Sequence, residues 1–118
     1  MRRFLFVAVL VGLAVPTMAA EFREGVYTVK GTNLNGSPYE GSAEVKVLSS
    51  TTCSITWTTG STSSQGPCMR AGNVVTAAYV QGNDIGLVMY QLNDDGSLDG
   101  VWTVTGQNGN GTEHLTPQ

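Results

Sequence analysis

The chain has 118 residues, six basic and nine acidic, for a formal net charge of −3, and only 13% of it is charged. That length suits one compact domain. The acidic balance excludes the basic patches that nucleic acid or an anionic membrane surface would require, and the abundance of Thr, Ser, Asn and Gly favours strands and tight turns over helices.

Residues 1–19 read as an address. Arg2 and Arg3 give a basic start, residues 4–15 form a short apolar run, and Pro16, Thr17, Met18 and Ala19 supply a break and the small residues of a cleavage site. This is the layout of a secretory signal peptide, cut after Ala19. The run is too short to span a bilayer comfortably, and no second apolar span follows. The expected organisation is a signal peptide at 1–19 and a single domain at 20–118, secreted to the periplasm or the extracellular space, with no membrane span in the mature chain. Loss of Arg2 and Arg3 leaves four basic residues, Arg23, Lys30, Lys46 and Arg70, against nine acidic ones, a mature charge near −5.

Turn signals then punctuate the chain at short intervals: Asn35-Gly36 with Pro38, Ser49-Ser50, Gly60-Ser61, Ala71-Gly72-Asn73, Gly82-Asn83-Asp84, Asp95-Gly96 and Asn108-Gly109. They delimit eight predicted strands: 25–31, 39–47, 53–58, 63–69, 74–80, 85–92, 98–105 and 111–116. No stretch repeats apolar residues at helical spacing. In the second strand Tyr39, Gly41, Ala43, Val45 and Val47 alternate with Glu40, Ser42, Glu44 and Lys46, so one face is apolar and the other solvated. In the third, Cys53, Ile55 and Trp57 alternate with Ser54, Thr56 and Thr58.

Pairing neighbours as a meander sets a register. A two-residue turn at Gly60-Ser61 puts Trp57 opposite Ser64, Ile55 opposite Gly66, and Cys53 opposite Cys68. In an oxidising compartment those two cysteines are expected to form a disulfide, and the loop they close has the length for which chain entropy gives about 3 kcal/mol. Continued, the register sets Cys68 beside Val75, Gly66 beside Ala77 and Ser64 beside Tyr79. It then sets Tyr79 beside Gly86, Ala77 beside Val88, Val75 beside Tyr90, Leu92 beside Leu98, Tyr90 beside Gly100 and Val88 beside Trp102.

One continuous apolar face follows, with Tyr27, Val29, Tyr39, Val45, Val47, Cys53, Ile55, Trp57, Cys68, Val75 and Tyr79 from the first five strands and Val88, Tyr90, Leu92, Leu98, Trp102 and Val104 from the next two. Large aromatics meet Gly86 and Gly100 across strands, which suits a tight barrel. Eight antiparallel strands can close and remove their edges. The predicted fold is all-β, a small eight-stranded antiparallel up-and-down β-barrel, with a flattened β-sandwich as the alternative.

The other face is polar on the first four strands and apolar on strands five to seven, where Val80, Ile85, Leu87, Met89 and Val101 would point outward with Val74 and Ala78. Contiguous apolar patches mark contact sites. Self-association or a partner protein is the expected use, unless the C-terminal strand or a loop covers the patch or the register slips by one.

Little in the chain points to chemistry. The lone histidine, His114, has no cysteine or histidine partner set, and no nucleophile motif is present. The turn Asn93-Asp94-Asp95-Gly96-Ser97 with Asp99 resembles part of a calcium loop, but Trp102 stands where the late Glu is needed, and a hairpin explains it more simply. Asn110-Gly111-Thr112 and Asn35-Gly36-Ser37 match the glycosylation sequon, the second weakened by Pro38. No catalytic residue, cofactor or metal site is expected. Trp57, Tyr79, Tyr90 and Trp102 would either fill the barrel or line a small-ligand cavity inside it, and filling is the simpler expectation at this length.

The run from Gly25 to Asn33 (GVYTVKGTN), followed by Asn35-Gly36-Ser37-Pro38-Tyr39-Glu40-Gly41, resembles the opening of small secreted α-proteobacterial proteins known as fibronectin-binding proteins. Thr52-Cys53-Ser54-Ile55-Thr56-Trp57, Gly66-Pro67-Cys68-Met69-Arg70, Gly86-Leu87-Val88-Met89-Tyr90, the run from Asp95 to Trp102 and the run from Gly111 to Pro117 are similar as well, so the likeness covers nearly the whole mature chain. The resemblance implies a secreted protein that binds fibronectin or host matrix. Fibronectin capture commonly adds a strand to an open sheet edge, so on a barrel it would use the outer patch or an open seam between the first and last strands. The function expected from the sequence is thus a secreted non-catalytic binding protein. The alternatives are a carrier of small hydrophobic ligands in the barrel interior and a periplasmic hydrolase inhibitor.

Overall fold

Alternation of apolar and polar residues lays down eight strands in chain order: β1 (Gly25–Thr32), β2 (Pro38–Val47), β3 (Thr52–Thr59), β4 (Thr62–Ala71), β5 (Val74–Gln81), β6 (Asp84–Leu92), β7 (Leu98–Val104) and β8 (Gly111–Pro117). The structure, a computed structural model, describes residues 21–118. The expected signal peptide at 1–19 lies outside the described residues. Each strand pairs antiparallel with the next, and β8 returns to β1 through the ladder from Thr32↔Thr112 to Tyr27↔Pro117. The sheet is a closed barrel, so the sandwich alternative is set aside and there is no open seam at β1–β8.

Glycines at turn positions fix most of the register. Gly60, Gly72 and Gly82 open two-residue hairpins with φ of 63°, 60° and 62°, a left-handed conformation that a Cβ penalises. The Gly60-Ser61 turn brings Cys53 opposite Cys68, and the two form the expected disulfide. Across β4–β5 the expected register is corrected by two residues: Cys68 pairs with Ala77 and Arg70 with Val75. The expected pairing of Cys68 with Val75 centres the turn on Ala71-Gly72, which would force Ala71 into the left-handed region. The actual turn is Gly72-Asn73, flanked by Ala71↔Val74. A shift of two leaves every side chain on its expected face.

Two longer loops share one construction. In β1–β2, Asn33 N–H donates to Ser37 O (2.8 Å), and Ser37 N–H and Oγ–H both donate to Asn35 Oδ1. In β6–β7, Asn93, Ser97 and Asp95 repeat the same bonds. The acidic turn that resembles a calcium loop is therefore a self-bonded hairpin loop. Ser97 holds the Asp95 carboxyl below its ordinary range.

The turns β1–β2, β3–β4, β5–β6 and β7–β8 lie at one end, called here the mouth; the chain enters and leaves at the other, the floor. The floor half is solid. Tyr27, Val29, Val45, Ile55, Val75, Ala77, Leu92, Leu98, Leu115 and the disulfide are all 2% exposed or less. Phe22 packs against this cluster, and Tyr27 Oη donates to Arg23 O (2.6 Å). Two residues expected in the core sit at its margins. Val47, the last residue of β2, is 41% exposed at the floor rim, and Val104, the last of β7, is half-buried at the mouth. Ala43, Ala77 and Leu115 complete the core.

Candidate functional site

The mouth half is hollow. It holds a cavity of about 410 Å³ whose walls are Tyr39 from β2, Trp57 from β3, Ser64 from β4, Tyr79 from β5 and Trp102 from β7, with Val88 and Glu113 below and Asn33, Thr59 and Gln81 near the rim. The rings form two pairs. Trp57 and Tyr79 have centroids 5.2 Å apart, and Tyr39 and Trp102 meet edge-on at 6.3 Å. The first pair spans β4, the second spans the β8–β1 seam, and those places are half a circuit apart.

Cross-strand glycines keep these rings against the wall. A Cβ on Gly31 would lie 2.4 Å from the Tyr39 ring, on Gly86 2.1 Å from Tyr79, on Gly111 2.4 Å from Trp102, and on Gly100 2.5 Å from Tyr90. Each aromatic lies over the backbone of its glycine partner, an arrangement known to stabilise glycine-bearing strands. Three of these rings therefore wall a space instead of plugging it.

Glu113 is the polar centre of the site. It is 8% exposed and faces inward from β8. Tyr39 Oη–H donates to Glu113 Oε1 (2.6 Å), and Tyr90 Oη–H donates to Oε2. Trp57 Nε1–H donates to Tyr90 Oη (2.9 Å), which commits the Tyr90 proton to Glu113. Burial, and after it the negative charge of Glu113, hold the Tyr39 and Tyr90 phenols well above the ordinary tyrosine range; the same two causes raise Tyr79.

Of the four aromatics singled out in the sequence, Trp57, Tyr79 and Trp102 line the cavity, while Tyr90 is buried beneath it with its hydroxyl on Glu113. The sequence does not single out Glu113 or Tyr39 as site residues. The signal for Glu113 is the alternation of β8, where Gly111, Glu113 and Leu115 share the inward face and Thr112, His114 and Thr116 the outward one. His114 is on the outside, its Nδ1 bonded to Asp99 Oδ1. That bond is the main cause holding the Asp99 carboxyl below its ordinary range, with Asn93 second.

The second candidate site is also where the sequence puts it. Val80, Ile85, Leu87, Met89 and Val101 are 46–64% exposed on the outer face of β5–β7. The pairs Val80↔Ile85 and Met89↔Val101 make them contiguous. No described strand or loop covers them, and the register there is the expected one.

No family model matches the chain, and no curated protein matches it. Among solved structures it is similar to a redesigned β-barrel, 17% identical with a TM-score of 0.70, over 80% of this chain and 90% of that one. It is also similar to a de novo designed fluorescence-activating β-barrel, 14% identical with a TM-score of 0.65, over 84% of this chain and 96% of the other. At these identities the likeness concerns the barrel fold alone.

Proposed function

We propose that this chain is a secreted or periplasmic, non-catalytic binding protein that holds a small, largely apolar molecule in the mouth half of its barrel. The cavity carries this reading. Its volume of about 410 Å³ falls within the roughly 300–1,000 Å³ of small-ligand sites, and a few convergent polar groups among aromatic walls are their usual lining. A barrel shaped for stability alone would fill its interior with its own side chains, as the floor half does. The disulfide is compatible with an oxidising compartment.

Trp57 and Trp102 are the two tryptophans of the chain and both line the cavity, so tryptophan emission, excited apart from tyrosine, reports on this site. Titration with the neutral apolar probe N-phenylnaphthylamine should change that emission saturably. Ser64→Phe, which fills the lumen from β4, should abolish the change. A response that survives Ser64→Phe, or no saturable response at all, would count against the reading.

A second reading has its own observation, the exposed stripe on β5–β7. In it the protein self-associates or docks a partner, and fibronectin is the partner that the sequence resemblance implies. Strand addition requires an open edge, and the closed sheet leaves only side-chain docking on Ile85, Leu87 and Met89. Leu87→Lys with Met89→Lys should abolish self-association in light scattering or capture on immobilised fibronectin while leaving the far-UV spectrum intact. Unchanged behaviour in both assays would sink it.

A further inference from the structure

We infer that the guest of the cavity is an organic cation, an ammonium or amidinium head on an apolar body, with its head seated against Glu113. This deepens the small-molecule reading and rests on it. The argument starts from the hydrogen-bond partners of the carboxylate. Both oxygens of Glu113 accept from neutral phenols, Tyr39 and Tyr90, and the Trp57 indole fixes the direction of the Tyr90 proton. An anion held 8% exposed beside neutral donors is costly unless a cation or a full set of hydrogen bonds compensates it. Each carboxylate oxygen has two acceptor sites, and the phenols take one apiece, which leaves capacity for a further donor.

The described residues give the cavity no counterion of its own. Among the described residues its lining contains no Lys, Arg or His. Its walls suit a cation for an independent reason. Tyr39, Trp57, Tyr79 and Trp102 stand on opposite sides of the lumen, and aromatic faces attract ammonium and guanidinium groups, most strongly where water is excluded. An anionic guest would be repelled by Glu113 across a poorly screened space. A neutral guest would cover the carboxylate and leave it less solvated than before.

The test is a charge series on one ring: benzylamine, protonated at neutral pH, benzyl alcohol and benzoate, titrated into the mature oxidised protein by tryptophan emission and by calorimetry. Benzylamine should bind about tenfold or more tighter than benzyl alcohol, with benzoate weakest. In Glu113→Gln, which keeps the side-chain shape and removes the charge, that preference should collapse. Equal binding of benzylamine and benzyl alcohol by the wild-type protein would overturn the inference and leave the small-molecule reading standing. A folded Glu113→Gln chain that keeps the full preference would overturn it too. If all three compounds and N-phenylnaphthylamine fail to bind, both readings fall. The wild-type series needs no variant, so it decides the matter even if Glu113→Gln does not fold.

Discussion

A Cβ built on Gly86 lies 2.1 Å from the Tyr79 ring. Gly86→Ala must therefore push that ring off the wall and into the lumen. Overpacking of this kind costs about 1–3 kcal/mol, so the denaturant midpoint should fall and N-phenylnaphthylamine should bind more weakly. A variant as stable as its parent with unchanged affinity would mean that the ring has somewhere else to go. Gly86 and Gly100 were legible as ring partners because the register could be counted from the turns. Glu113 is harder to read, since an acid rarely belongs inside and no two-residue turn carries the register from β7 on to β8. The tyrosines make a second prediction. All four, Tyr27, Tyr39, Tyr79 and Tyr90, are raised above the ordinary value of 10.0, burial being the largest cause in each. The unfolded chain loses these protons first as pH rises through that value. Stability is therefore whole below about pH 10 and falls above it, as the folded barrel holds its phenols protonated to higher pH than the unfolded chain does. The phenolate absorbance of the folded protein should rise at higher pH than that of the unfolded chain, with Tyr39 and Tyr90 the last to titrate. Phenolate forming near pH 10 in an intact fold would contradict the buried phenol–carboxylate cluster.

The strands themselves were almost fully legible, because alternation and glycine-bearing turns are local signals. Every predicted strand is present, with its ends within two residues of those observed. The misplaced register at β4–β5 came from a three-residue turn signal, Ala71-Gly72-Asn73, which does not by itself say which two residues turn. The positive φ available to Gly72 decides it. Alternation places Val47 in the core because it cannot tell the last residue of a strand from an interior one. The β3–β4 hairpin carries a prediction of its own. The Gly60-Ser61 turn sets Cys53 opposite Cys68 and is expected to do so with the sulfurs unjoined. Replacing both cysteines with Ala should lower stability by about 3 kcal/mol, the chain-entropy value for a loop of this size, and leave the far-UV spectrum unchanged. A changed spectrum would show that the disulfide, not the turn, holds the register.

For the molecule as a whole, closure followed from the count and spacing of strands, but the division into a solid floor and a hollow mouth did not. Whether a ring fills a lumen or lies along its wall depends on side-chain torsions and on which glycine it meets, and Gly31 opposite Tyr39 or Gly111 opposite Trp102 means little until β8 is joined to β1. That same joint has a consequence in time. Seven of the eight ladders connect strands adjacent in sequence, whereas the eighth brings together Thr32 and Thr112, whose hydroxyls meet at 2.8 Å across a separation of 80 residues. Loop-closure entropy makes such a contact the last to be favoured, so the meander should assemble hairpin by hairpin and zip its ends after the rest. Thr112→Val keeps a β-branched side chain and removes that hydroxyl bond. If closure follows the rate-limiting barrier, the variant should unfold several-fold faster, as loss of about 1 kcal/mol implies, and refold at the parental rate. Stopped-flow measurement of both limbs would show this, and slowed refolding would instead place the joining of β1 and β8 in the rate-limiting step.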